Sequence, residues 1–493
     1  MSPLTAPMHL GLDIGTSSVK GVLIDSSQQI VLTATAPLTV SRPGPGWSEQ
    51  APDHWWKAAN RVVKELAQKK PKAVAAVAGI GLSGQQHGAT LLDRAGNVLR
   101  PAILWNDARS FAECRELETR EPKARAIAGN IPLAGFTAPK LLWVRKHEPE
   151  IFARVAKVLL PKDYVRFRMT GDYASDLSDS AGTFWLDVGR RAWSDRLLAA
   201  SDMRTDQMPS LYEGTEPTGR LTPGVAKSWG MPLRPVVAGG GGDNAASACG
   251  IGAVTPGSAF ISIGTSGVLF VSNDRFRPNA ERAVHAFCHA VPETWHQMGV
   301  ILSAAASLEW LAGLLKTPAP KLAAGLGARL TGPSPTLFLP YLSGERTPVA
   351  DAQARGMFTG LGHETGPKHL THAVLDGVAF AFRDCLEALE AAGTVVSRVT
   401  AVGGGSGSKL WLEIIATVLG IPIDLPAAGD FGGAFGAARL GLIAATGMSF
   451  REVCTPPRIV RTIDPNPRLG EAYEAQYRRY TKLYPAIKEI HRS

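Results

Sequence analysis

The sequence predicts a mixed α/β protein built from two related halves. Three observations carry that prediction. A chain of 493 residues is too long for one ordinary core and fits two domains of roughly 200 to 250 residues. Segments with strand periodicity and segments with helix periodicity are interleaved along its length. One short motif also occurs twice, displaced by 249 residues from Gly15 to Gly264, which is the spacing expected of an internal repeat.

The first copy, "LGLDIGTSSVKGVLID" at 10–25, alternates apolar and polar residues on either side of a Gly-Thr-Ser turn, the pattern of a β-hairpin with a small, hydroxyl-rich tip. The second, "FISIGTSGVLFVS" at 260–272, repeats strand, turn and strand. Aligning the turns sets Asp13 opposite Ser262 and Lys20 opposite Leu269, so only the first hairpin is charged. A turn glycine admits a phosphate close to the backbone, whose N–H groups, with the threonine hydroxyl, donate to its oxygens. A carboxylate beside such a cradle can hold magnesium through water. One Gly-Thr-Ser alone reads as a surface turn, whereas two at half-chain spacing read as a pair of phosphate hairpins.

Between the hairpins, "HWWKAANRVVKELAQK" has helical period and "VAGIGLSG" reads as a strand. After that strand, "GLSGQQHGATLLD" places Gln85, Gln86 and His87 among small neighbours that leave them free to reach a hydroxylated ligand. "AILWNDARS" brings Trp105, Asn106, Asp107 and Arg109 to the end of another apolar run. This is either the aromatic and polar lining of a sugar pocket or a salt-bridge cluster at a domain edge. The strand "RPVVAGG" then runs into "VVAGGGGDNAASACG". Its four glycines read as a cleared approach to a ligand, and Asp243 either caps the following helix or serves as a base at the C-terminal end of a strand. We set the division here, giving halves 1–245 and 246–493.

Beyond the second hairpin, "HAFCHA" offers His285, Cys288 and His289. On a helix the histidines would share a face suited to zinc, but the segment reads equally well as a buried strand. "HLTHAVLDGVAFAFRDCLEALEAA" is helical, and "AVGGGSGSKLWLEIIATVLG" joins a strand to a helix through a third glycine cluster, a geometry that turns backbone N–H groups toward a nucleotide. It matches neither the GxGxxG fingerprint nor the spacing of a P-loop. "IPIDLP" reads as a further strand.

Composition narrows the classes of function. The chain is 45% hydrophobic and 19% charged, a globular composition, and shows no apolar run of about 20 residues that would span a membrane. Its start lacks the pattern of a secretion signal. The five cysteines are scattered and odd in number, which fits free thiols in a reducing, cytoplasmic setting. The net charge of +9 is dispersed, which favours small anionic ligands over nucleic acid.

These segments resemble the FGGY carbohydrate kinases of the actin-like ATPase superfamily. The similarity runs nearly end to end through "GLDIGTSSVK", "WSEQAPDHWW", "QHGATLLD", "RPAILWND", "GFTAPKLLWV", "LLPKDYVRFRMTG", "GGDNAA", "SIGTSGV" and "LPYLSGERTP", with long family signatures resembled at 135–147 and 356–376. The resemblance implies two actin-like (ribonuclease H-like) domains flanking a cleft that binds ATP and a sugar. It is greatest to bacterial members that phosphorylate the 5-hydroxyl of D-xylulose, with another pentulose, a pentitol or a related polyol as the alternative acceptor. By motif position it implies Asp243 as general base and Asp13 near Mg2+ through water. Thr16, Ser17, Lys20, Gly264 and Thr265 fall on phosphate motifs, and Gly404, Gly405 and Lys409 on the adenosine motif. Gln86, His87, Trp105, Asp107 and Asn244 fall at or beside sugar-lining positions. The family often has methionine where this chain has Gln86, and three glycines rather than four before the aspartate. Relatives are often homodimers, although no segment here demands one. A silent sensor of the same fold would be expected to lack Asp13 or Asp243, and an actin-like or chaperone ATPase would leave the sugar motifs without purpose.

Overall fold

The computed structural model describes residues 6–427, 429 and 431–490. Among them, the first sheet comprises β1 (Met8–Ile14), β2 (Ser18–Asp25), β3 (Ile30–Pro37), β4 (Val77–Gly84), β5 (Pro217–Arg220), β6 (Val236–Ala238) and β7 (Gly241–Gly242). Its order is β5-β6-β4-β1-β2-β3, with β7 also paired to β4. The first three strands form an antiparallel meander, β4 runs parallel to β1, β6 runs parallel to β4, and β5 returns antiparallel.

The second sheet comprises β8 (Ala259–Ile263), β9 (Gly267–Asn273), β10 (His285–Cys288), β11 (Trp295–Ile301), β12 (Val399–Val402), β13 (Ile423–Pro426) and β14 (Ile459–Ile463). It runs β10-β11-β9-β8-β12-β13-β14. The meander β8-β9-β11 is antiparallel, β12 and β13 are parallel additions, and β14 returns antiparallel. Apart from β7, which has no counterpart, this is the topology of the first sheet with β10 added at one edge. The sequence echo therefore marks a repeat of architecture.

The helices that position the site are α1 (Pro52–Lys69), α2 (Thr137–His147), α3 (Pro161–Thr170), α4 (Leu177–Ala181), α5 (Asp243–Ile251), α6 (Ala305–Leu315), α7 (Pro367–Glu390), α8 (Lys409–Leu419) and α9 (Gly433–Thr446). α1 shows why such segments are helical. Proline opens its first turn, Asp53 and Lys69 complement the helix dipole, and Trp55, Ala58, Ala59, Val62, Val63 and Leu66 form one buried stripe. Each large apolar side chain in that stripe contributes about 1.5–3 kcal/mol through burial. The stripe packs over the meander, with Val62 against Gly21.

One face of the first sheet is covered by a helix from the far end of the chain. α9 lies on β1 and β4 so closely that a Cβ at Gly11 or Gly81 would collide with the carbonyl of Ala434 or Ala437. It crosses α5 just as closely, Gly436 against the Ala246 carbonyl, while Ala248 and Ile251 of α5 join an apolar cluster with Phe260 of β8. The expected division at 245/246 falls inside α5, where the two halves interleave.

Candidate active site

The first Gly-Thr-Ser turn is held rigidly from behind. Gln85 is the brace: its Oε1 accepts from Thr16 Oγ1 at 2.9 Å, and its Nε2 donates to the Gly15 carbonyl and to Gln50 Oε1 at 3.2 and 3.0 Å. Gln50 in turn donates to the Thr16 carbonyl at 2.7 Å. Trp105 Nε1 donates to Thr16 Oγ1 at 3.0 Å. The Thr16 proton is therefore committed, whereas the backbone N–H groups of Thr16 and Ser17 and the Ser17 hydroxyl have no partner among the described residues. Trp105, expected beside a sugar, is an exposed ring tied to the first Gly-Thr-Ser turn.

Asp13 sits at the end of β1, directly across the hairpin from Lys20 in the strand register. Ser83 donates to Asp13 Oδ1 at 2.8 Å. Gly433, the first residue of α9, lies so near that a Cβ there would come within 3.2 Å of the Asp13 carboxylate. The positive end of the α9 dipole thus faces this carboxylate.

Asp243 is the first residue of α5, and Gly242 occupies the cap position. Asp243 therefore does not stand at the cap position: its Oδ1 accepts from the Asn244 N–H at 2.7 Å and Asn244 Nδ2 at 3.0 Å, while Oδ2 has no hydrogen bond among the described residues. Burial, with repulsion from Asp13, pushes the Asp243 carboxyl up to about 6. That value suits a base working near neutral pH.

The glycines before Asp243 are filled by protein, which corrects the reading of a cleared approach for ligand. A Cβ at Gly239 would strike the Glu213 carbonyl, one at Gly240 the Leu82 carbonyl, and one at Gly242 the Gln86 side chain; Gly241 faces Ala290. Gly240 also has φ +77°, a conformation that strains other residues. All four positions, including the one beyond the family pattern, have a packing reason.

Gln86 is buried and donates from Nε2 to the Ser178 carbonyl at 3.3 Å, which leaves its Oε1 as an acceptor. His87 adopts φ +68°, a strained conformation retained because its surroundings over-determine it. Thr137 and Lys140 of α2 both donate to its carbonyl, at 3.1 and 2.8 Å, and Phe136 packs on its ring with centroids 4.5 Å apart. Burial and the nearby Lys140 push His87 down to about 3, so the imidazole is neutral at physiological pH. Its Nδ1 lies 2.5 Å from the Gly182 carbonyl, which assigns the proton to Nδ1 and leaves Nε2 an acceptor.

Asp107 and Asn244 are placed differently from expectation. The Asp107 carboxylate is saturated within the protein: Arg109 approaches it through N, Nε and Nη2 at 2.9, 2.9 and 2.7 Å, and the Ser48 N–H at 2.6 Å. It holds Arg109 against the Trp47 ring, 3.7 Å from the ring centroid, so here the domain-edge salt-bridge reading is the better one. Asn244 turns toward the second sheet, lining a cavity of about 480 Å³ with Ser262, Gly403 and Gly432.

The second hairpin opens on a cavity of about 930 Å³ lined by Gly264, Thr265, Glu309, Gly404, Gly405 and Lys409, among others. All five expected cofactor residues of this half converge there, in a volume that suits a nucleotide. Thr265 is exposed, and Lys409 opens α8. The register here differs from the first hairpin: Ser262 faces Val268, not Leu269, because this turn has three residues where the first has four.

His285, Cys288 and His289 lie on or beside β10, and each has its own partners. Their partners are Asn130 and Arg346 for His285, the Val188 carbonyl for Cys288 and the Ala253 carbonyl for His289. Among the described residues no group of three histidine, cysteine, aspartate or glutamate side chains is arranged to hold a metal, and the segment is a strand.

Sequence reasoning passed over Ser178 and Arg346. Ser178 carries no motif of its own. Arg346 lies within "SGERTP", reaches His285 Nε2 at 3.2 Å and acts electrostatically on His87. An arginine in a quoted motif was the signal for it.

Comparison with known proteins agrees with this architecture. The model of the FGGY family of carbohydrate kinases, N-terminal domain, matches residues 8–250, and that of the C-terminal domain matches 259–445. A xylulose kinase of Escherichia coli (strain K12) is 50% identical over 97% of this chain and 99% of its own length. A crystal structure of a xyloylose kinase from Brucella ovis superposes with a TM-score of 0.96 at 57% identity, covering 98% of this chain and 100% of that one. A xylulose kinase structure from Rhodospirillum rubrum gives 0.92 at 30% identity, covering 99% and 100%. With both halves matched and both sheets sharing the actin-like ATPase topology, the chain belongs to the FGGY family of carbohydrate kinases.

Proposed function

We propose that this protein transfers the γ-phosphoryl group of ATP to the 5-hydroxyl of D-xylulose, with Asp243 as general base. The observation that carries the proposal is Asp243 at the start of α5 with one carboxylate oxygen unpartnered among the described residues, its carboxyl raised to about 6 by burial and by repulsion from Asp13. The Gln86 side chain packs against Gly242, immediately before Asp243, and Asn244, immediately after it, lines a cavity with Ser262 and Gly403. The full-length relatives named as xylulose kinases support the acceptor.

In this reading the acceptor hydroxyl gives its proton to Asp243 as the phosphoryl group arrives. A positioned base of this kind contributes about 10²–10⁴ in rate. His87 Nε2 and Gln86 Oε1 accept from other sugar hydroxyls and so orient the acceptor. The N–H groups of Thr16 and Ser17, with the Thr265 hydroxyl, hold phosphate oxygens, and Gly404, Gly405 and Lys409 line the adenosine side. Phosphoryl transfer draws mainly on such positioning and charge neutralisation. Asp13 is a hard oxygen donor and fits Mg2+ held largely through water. Bound there, the ion would neutralise charge on the phosphates. The same proposal includes a cytoplasmic setting, supported by five buried free cysteines; among the described residues no helix is long and apolar enough to cross a membrane.

The test is coupled ADP release over a panel of ketoses, pentitols and aldoses. D-xylulose should give the highest kcat/KM. A higher value for another pentulose or a pentitol would reassign the acceptor, with the Gln86 amide as the first place to look, since it offers hydrogen bonds that the family's usual methionine does not.

A further inference from the structure

Three polar contacts of the sugar side end on one short segment, residues 178–182. Ser178 Oγ accepts from the Gly242 N–H at 3.1 Å, the Ser178 carbonyl accepts from Gln86 Nε2 at 3.3 Å, and the Gly182 carbonyl accepts from His87 Nδ1 at 2.5 Å. From Ser178 and Gly182, then, the chain reaches both pocket side chains and the residue immediately before Asp243.

Ser178 is itself oriented. Asp176 caps α4, accepting at Oδ2 from the N–H groups of Ser178 and Asp179 at 2.8 and 3.2 Å and from Ser178 Oγ at 2.5 Å. With its one proton directed to Asp176, the hydroxyl presents a lone pair to Gly242. Asp176 is anchored in turn by Lys162, whose Nζ lies 2.8 Å from its Oδ1, 2.6 Å from Asp163 and 3.1 Å from Asp179, with all four side chains fully buried. Arg166 lies 3.5 Å from Asp163 and donates to the Gly239 carbonyl. Burial pushes the Asp179 carboxyl well above the usual carboxylate range, and Lys162 and Arg166 together face the three carboxyl groups of Asp163, Asp176 and Asp179. This cluster holds both ends of the glycine run, through Arg166 at Gly239 and through Asp176 and Ser178 at Gly242.

We infer that Ser178, oriented by Asp176, is a positioning residue for sugar phosphorylation that sets Gln86 and the backbone before Asp243 in register with each other. Nothing in this chain of contacts reaches the nucleotide cavity, so its effect falls on the sugar and on turnover. The inference rests on the reading that Gln86, His87 and Asp243 face the sugar.

The test uses the full chain and the sugar that the wild type phosphorylates best. Ser178→Ala should raise KM for the sugar roughly tenfold, the scale of a lost hydrogen bond, and lower kcat, because sub-ångström displacement of a reacting group is costly. KM for ATP and sugar-free ATP hydrolysis should stay within about twofold of wild type, as the ATP side makes no contact with Ser178. At matched side-chain size, Ser178→Thr should exceed Ser178→Val in sugar kcat/KM by about fivefold, since only the former keeps a hydroxyl. Unchanged sugar kinetics in Ser178→Ala, equal rises in both KM values, or equal Thr and Val variants would overturn the inference. If the variants do not fold, or if the wild type phosphorylates no sugar and the proposed function fails, hydrogen exchange of the wild-type Gly242 amide decides. A protected amide in the absence of sugar is expected, and exchange at the rate of an open loop would refute the contact.

Discussion

At the tip of β1 and β2, the Gly15–Ser17 turn is braced by Gln85, Gln50 and Trp105 and flanked by Asp13 and Lys20. At the tip of β8 and β9, the Gly264–Ser266 turn has the same three residues and the same place in its sheet, but Ser262 and Val268 stand where the first has its charges. Its threonine hydroxyl, unbraced among the described residues, faces an open cavity. One residue fewer in the second turn shifts the register, and in a strand a shift of one exchanges the faces. The repeated architecture thus carries two chemistries, with charge on the first hairpin and a neutral cradle on the second.

The largest expected effect tests whether reaction belongs to the charged side. Asp243→Ala should lower kcat by about 10³ while ATP and sugar still bind in calorimetry. Retained turnover would remove Asp243 as base and with it the contrast between the halves. A second test is the pH profile. Asp243 must be ionised to accept a proton, and its carboxyl lies at about 6. Activity should therefore be full above that value and fall about tenfold per pH unit below it, and a profile flat down to pH 4.5 would contradict the assignment. The smallest effects separate the turns. Thr265→Val should raise KM for ATP a few-fold, on the scale of one hydrogen bond, with an unchanged Tm. Thr16→Val breaks the brace, since its hydroxyl both donates and accepts, and should lower Tm as well as weaken ATP. Equal Tm values for the two variants would erase the distinction between a braced and an open hairpin.

Much of the fold could be read in advance because its signals are local. The strand at 77–84 has the bounds of its apolar run, and the helices at 54–69, 369–392 and 410–420 lie within two residues of those observed. The convergence of Gly264, Thr265, Gly404, Gly405 and Lys409 followed from two turn motifs on neighbouring strands. Other features were hidden because they depend on residues distant in the chain. The sequence leaves Asp107 open between ligand and salt-bridge residue, and it is the distant Ser48 N–H, joining Arg109 two residues on, that shows its carboxylate saturated. The histidines of "HAFCHA" would stand one turn apart on a helix, whereas the extended chain that forms spaces them about 13 Å apart. The fourth glycine had no local explanation, and its reasons lie in Glu213, Leu82, Ala290 and Gln86.

From composition, periodicity and repetition alone follow two related α/β halves, two phosphate-type turns and an aspartate at the end of a strand. Periodicity and turn chemistry act over a few residues, and a linear sequence records them directly. Packing assigned the rest. It laid α9 across β1 and β4, more than three hundred residues earlier in the chain, brought Asp13 within electrostatic range of Asp243, and bound the glycine run through Ser178 and Asp176 to a buried lysine. Each of these is an interaction between segments far apart in sequence, and its energy exists only once the chain has closed on itself.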